Sequence, residues 1–142
     1  MRFVNKIELS VDGRTLFAKD FFSTLTAYDV KDDKFTQLAY FIAPSKVTKW
    51  EYDYACAPHR LSEIKELGDL KLLSENELLL ASWTGFYILD ISDMDKYRAN
   101  AAQSSNILKQ IRYIAHPYLE IDKMTLSKDG KRVFSSNWSE FG

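Results

Sequence analysis

The chain has a single cysteine, Cys56, in 142 residues. One thiol cannot form an intramolecular disulfide, and a thiolate metal site, which needs several such ligands, is excluded with it. Histidine is nearly as scarce, with only His59 and His116. Neither sign of charge is in excess, since 19 lysines and arginines stand against 20 aspartates and glutamates. Phosphate binding needs a concentrated basic stripe, so nucleic acid is not an expected partner. No window approaches the roughly 20 consecutive apolar residues that span a bilayer. The opening Met1 to Lys6 leads into alternating residues rather than a continuous apolar stretch, unlike a signal peptide. These absences favour a soluble intracellular chain with no membrane span, and the sequence specifies the compartment no further.

What is present points to sheet. Apolar residues make up 46% of the chain and aromatics 14%, a generous share of side chains that fit a pleated, half-buried surface. Three segments repeat: Ile7 to Ala18, Leu70 to Ala81 and Met124 to Ser135. Each is an apolar strand, a serine, a polar turn and a second apolar strand. Asp12-Gly13 and Asp129-Gly130 suit tight hairpins because glycine adopts positive φ without steric cost. The middle copy has Glu75-Asn76-Glu77 instead, where asparagine also tolerates the left-handed region.

Similar strands follow each hairpin. Leu25 to Val30 and Phe86 to Ile91 are short, each with an aspartate (Asp29, Asp90) near its end. Leu38 to Ala43 and Ile111 to His116 match in pattern and are each stopped by a proline, which cannot donate to a ladder. The unit is four antiparallel strands, a to d, recurring at about 53 to 64 residues, and four-stranded units repeated radially are propeller blades. The fold class is therefore all-β: two and a half blades of a β-propeller, with a plain β-sandwich as the competing arrangement. Blade 1 covers about 1–44, an insertion 45–66, blade 2 about 67–117 and a half blade 118–142.

The Leu-Ser-x-Asp-Gly turns at Leu9 to Gly13 and Leu126 to Gly130, with the Asn76 to Asp90 unit, resemble the blades of YVTN-type and LVIVD-type propeller repeats. The WD40 pattern is not matched, since no Gly-His pair opens a blade and no Trp-Asp closes strand c. The resemblance implies a scaffold, and such propellers include both binding proteins and enzymes. Two and a half blades do not close a ring. The expectation is completion by further blades of a longer polypeptide first, and otherwise by other copies of the chain or a protein partner.

In four-stranded blades the b–c turns and d–a connections share one end. Here the b–c turns are Asp20 to Ser23, Trp83 to Gly85 and Trp138 to Glu140, and the long d–a connection runs from Ser45 to Glu66. Long loops in compact domains are usually functional or disordered. This one alternates aromatic and charged residues at Lys49 to Tyr54. Trp50, Tyr52, Tyr54, His59 and Arg60 form the candidate binding surface, with Trp83 and Trp138 at its rim. The alternative is that these aromatics cover a neighbouring blade. The two histidines each adjoin a proline, and a metal would need a third ligand such as Asp20 or Asp53, so no metal or cofactor is expected. No nucleophile elbow accompanies them, and Cys56 reads as a packing residue or idle loop thiol. Asp29 and Asp90 recur at equivalent positions, which reads as capping of strand c by side-chain bonds to backbone. Ser92 to Ser105 has helix propensity over Met94 to Gln103 and reads as a charged, solvated excursion.

The leading expectation is a non-catalytic scaffold for protein–protein interaction or assembly. The alternative is part of an enzymatic propeller, a lactonase-like hydrolase or a metal-dependent oxidoreductase.

Overall fold

The repeated turn is a closed hydrogen-bond unit in the computed structural model, which describes residues 4–20, 24–43, 67–82, 85–100, 106–115 and 121–137. Ser10 Oγ donates to Asp12 Oδ1 at 2.7 Å, Arg14 N–H donates to the same oxygen, and Thr15 N–H donates to Ser10 Oγ. Gly13 supplies the positive φ, 73°. Ser127, Asp129, Lys131 and Arg132 repeat every one of these bonds around Gly130 at φ 70°. The motif thus carries its own geometry: serine and aspartate satisfy the turn's amides, and glycine permits its bend. In the middle copy Leu73 and Ser74 both donate to Glu77 C=O, and Asn76 N–H donates to Ser74 Oγ. That turn is one residue shorter, and Asn76 does not use the left-handed region expected for it.

Among the described residues, ten strands form three antiparallel sheets. β1 (Val4–Leu9), β2 (Thr15–Asp20), β3 (Thr24–Lys31) and β4 (Lys34–Ile42) make the first blade in the order β1-β2-β3-β4. β5 (Leu67–Leu72), β6 (Glu77–Ser82), β7 (Gly85–Asp90) and β8 (Lys109–Ala115) make the second in the order β5-β6-β7-β8. β9 (Ile121–Leu126) and β10 (Val133–Asn137) form a two-stranded sheet that stands as strands a and b of a third. The fold is all-β, of propeller blades, and the described residues do not close a ring. β3 turns into β4 through Asp32 and Asp33, both at positive φ, a two-residue hairpin that the sequence reading had not anticipated.

Blades stack face to face, and the core lies in the seams. Between blades 1 and 2, Phe17, Leu25, Ala27, Ala39 and Phe41 meet Leu70, Leu78, Leu80, Tyr87 and Leu89. Tyr87 is pinched between Phe41 at 5.4 Å and Tyr113 at 4.8 Å. Each fully buried leucine or phenylalanine here contributes about 1.5–3 kcal/mol relative to exposure. Between blades 2 and 3, Leu79 and Ala81 pack with Met124, flanked by Phe86, Ile88 and Leu126.

The described part of the connection between β7 and β8 forms the short helix its propensity suggests and is mostly exposed, but it also latches onto the first blade. Met94–Ala99 forms one short helix, α1, with Met94 buried in the first seam. Further along, Tyr40 and Ile107 form a parallel bridge, with Tyr40 N–H donating to Asn106 C=O and Leu108 N–H donating to Tyr40 C=O. The second blade therefore adds a stretch of backbone to the outer strand of the first.

Candidate functional site

Antiparallel order places the start of each strand a and the end of each strand b together. In blade 1 this end carries Val4 opposite Asp20, and in blade 2 Leu67 opposite Ser82. The b–c turns are closed there by the last side chain of strand b. Asp20 Oδ1 accepts from Thr24 N–H at 3.1 Å. Ser82 Oγ donates to Gly85 C=O at 2.8 Å and accepts from Gly85 N–H. Gly85 is required, because a Cβ would lie 2.6 Å from Ile114 C=O and from the Tyr113 ring.

Buried charge gathers at the same end. Lys19, Asp20 and Asp69 are buried, Asp69 at 2% exposure. Asp69 lies on strand a of blade 2, and its partners come from all three blades. Oδ1 accepts from Leu70 N–H at 2.8 Å and faces Lys6 Nζ of blade 1 at 3.3 Å. Oδ2 accepts from Met124 N–H of the third blade at 2.6 Å. With three of its about four acceptor sites occupied, Asp69 acts as an inter-blade staple, which disfavours it as a general base. Lys6, Lys19 and Asp69 are not singled out by sequence, because polar residues inside an alternating strand look solvent-facing until the neighbouring blades cover them.

The seven residues expected to form the binding surface (Trp50, Tyr52, Tyr54, His59, Arg60, Trp83 and Trp138) lie outside the described residues, as do His116 and Cys56. Their flanks are described. Residues 44–66 leave from Ala43 and rejoin at Leu67, residues 83–84 bridge Ser82 and Gly85, and Trp138 follows Asn137 at the end of β10.

The opposite end holds a cleft of about 240 Å³ in the first seam, bordered by Ser10, Asp12, Glu75, Asn76, Asp95 and Arg98. Arg98 of α1 also lines it. Nε donates to Asp29 Oδ1 at 2.8 Å, one terminal nitrogen donates to Asp95 Oδ1 at 2.7 Å and the other to Thr15 Oγ1. Burial opposes the charge on Arg98, but the bonds to Asp29 and Asp95 outweigh it and hold the guanidinium above its ordinary value. Asp90 behaves as the repeat suggests: Ser92 hydroxyl and backbone N–H donate to it, in that order of weight, and lower its pKa. Asp29 does not cap its own strand in this way but receives the arginine of the next blade, a long-range contact that local spacing does not encode. Among the described residues no three His, Cys, Asp or Glu side chains are grouped to hold a metal ion, and no helix is long and apolar enough to cross a membrane.

No family model matches the chain, and no curated protein does. Among solved structures it is similar to a "putative 6-phosphogluconolactonase" from Bacteroides fragilis, with a TM-score of 0.61 and 13% identity over 93% of this chain. The match covers 31% of that protein, so the chain spans under a third of its length. At that identity the likeness is one of fold, and the fold is that of propeller blades.

Proposed function

We propose that the chain is a non-catalytic scaffold of LVIVD/YVTN-like propeller blades, mediating protein–protein interaction or assembly. The observation that carries this reading is topological. All three segments bearing Trp50, Tyr52, Tyr54, His59, Arg60, Trp83 and Trp138 spring from the same end of their sheets. Seam packing and the Asp69 staple hold those attachment points rigidly, as a binding surface built on loops requires. The aromatic and arginine content of the segments suits the anchoring of a protein partner. Capture of partners by the purified chain tests this: the Trp50→Ala/Tyr52→Ala/Tyr54→Ala variant is expected to lose them, and undiminished capture would sink the proposal.

A second reading, a portion of a lactonase-like hydrolase, is favoured by the name of the similar Bacteroides protein. The buried charge of Lys19, Asp20 and Asp69 lies at the end where its chemistry would sit. The scaffold ranks first because the Asp69 oxygens are occupied and the likeness is confined to fold. Hydrolysis of 6-phosphogluconolactone above the spontaneous rate, abolished in a Lys19→Met variant that still folds, would reverse that order.

A further inference from the structure

Between strands c and d, blade 1 has only the two-residue Asp32-Asp33 turn, whereas blade 2 has a long connection that reaches back to blade 1. The described residues of that connection are anchored on three strands of blade 1. Arg98 of α1 bonds to Thr15 of β2 and to Asp29 of β3. Asn106 Nδ2 donates to Leu38 C=O of β4, and Asn106 and Leu108 share two backbone bonds with Tyr40 of the same strand. Tyr97 joins the two anchors: its hydroxyl donates to Ile107 C=O at 3.5 Å, and its ring packs against the core of the first seam.

The hold is largely polar. Of residues 93–100 only Met94 is buried, and a six-residue helix does not persist without tertiary support. Leu108, at 1% exposure, is the apolar plug of the second anchor. The seam itself is held by sheet residues: Phe17, Leu25 and Phe41 meet Leu70, Leu78 and Tyr87, and Lys6 faces Asp69 at the far end. A segment with few buried apolar contacts and exposed hydrogen bonds opens at a lower free energy than the core it rests on.

We infer that α1 and Asn106 to Leu108 are two anchors of one strap, which opens from blade 1 as a unit while both sheets stay folded. Met94, Asp95 and Arg98 of the strap border the cleft of about 240 Å³, and Ser10, Asp12 and Thr15 of blade 1 border it from the other side. Opening therefore uncovers Phe17, now 0% exposed, at the mouth of the first seam. The strap governs access to that seam from the end opposite the loop attachment points, and its behaviour is independent of the scaffold reading.

Amide hydrogen exchange of the folded chain, read residue by residue by NMR, provides the test. The reporters are Tyr97 and Asn100 N–H at the helix anchor, and Tyr40 and Leu108 N–H at the strand anchor. All four are expected to share one opening free energy, below that of the β2 and β3 amides. Arg98→Lys loses the fork but keeps the charge, and should speed exchange at all four by a common factor of about five or more. Coupling is reciprocal, so Asn106→Ala at the other anchor should speed Tyr97 and Asn100 as well, by about twofold or more. Circular dichroism checks that both variants keep the wild-type sheet content. Acceleration confined to the substituted anchor in either variant overturns the inference, as does exchange of the four reporters only together with β2 and β3.

Discussion

Replacing Asp69 by alanine removes a side chain that bonds to all three blades at once. The structure sets the size of the effect. Two backbone donors, Leu70 N–H and Met124 N–H, lose their acceptor in a buried setting, and each such orphan costs about 1–3 kcal/mol. Lys6 loses its partner too, but its side chain is 37% exposed and water rehydrates the ammonium, so this part is at most about 1 kcal/mol. The expected total for Asp69→Ala is about 3–5 kcal/mol, a large share of the roughly 5–15 kcal/mol that holds a typical domain. At roughly 3 °C per kcal/mol for a chain of this size, Tm falls by about 10–15 °C. Asp69→Asn keeps one acceptor and turns an amide towards the other N–H, and it should fall between the alanine variant and wild type. Lys6→Met should cost about 1 kcal/mol or less. Urea unfolding, with the slope checked for constancy, measures all three. Equal costs for Asp69→Ala and Lys6→Met, or a cost below about 1 kcal/mol for the former, would refute the staple.

Three further outcomes follow from the geometry. Gly85→Ala forces a Cβ against the Ile114 carbonyl, a backbone atom with little room to yield, and thermal melts should register a loss of about 1–3 kcal/mol. Arg98→Lys keeps the charge but not the fork. It should cost about 1–2 kcal/mol and speed hydrogen exchange in α1, with a double-mutant cycle assigning the coupling to half-buried Asp29 rather than exposed Asp95. The carboxyls of Asp12 (held by Arg14 N–H, then Ser10), Asp90 (by Ser92) and Asp129 (by Ser127, then Lys131 N–H) all titrate below their ordinary 3.8. A depressed folded pKa gives stability that is present above the unfolded value and lost as pH falls through the folded one. Stability should therefore decline below a pH of about 4, and Asp12→Asn/Asp90→Asn/Asp129→Asn should flatten that decline in acid unfolding monitored by circular dichroism.

Much of the architecture is local and was legible. Serine and aspartate at fixed offsets around a glycine satisfy their own turn, so Ser10 to Gly13 and Ser127 to Gly130 announce hairpins without outside help. Alternating apolar residues on either side supply the strands. The Asp32-Asp33 turn was harder to read, because aspartate tolerates positive φ but a pair of them without a glycine is a weak hairpin signal. The helix at Met94–Ala99 was visible as propensity, but its role was not: Arg98 finds Asp29 and Thr15 only after two sheets have stacked.

The sequence by itself determined the blade, since hairpin chemistry and period-two alternation act between residues close in the chain. Tertiary structure alone decided which face of each blade is core. Lys19 and Asp69 are buried, while Ile7, Leu9 and Phe134 are exposed, against their intrinsic preferences. The physical reason is that a blade has two apolar faces and no core of its own. What each side chain experiences is set by the blade stacked on it, and that neighbour lies tens of residues away in the chain.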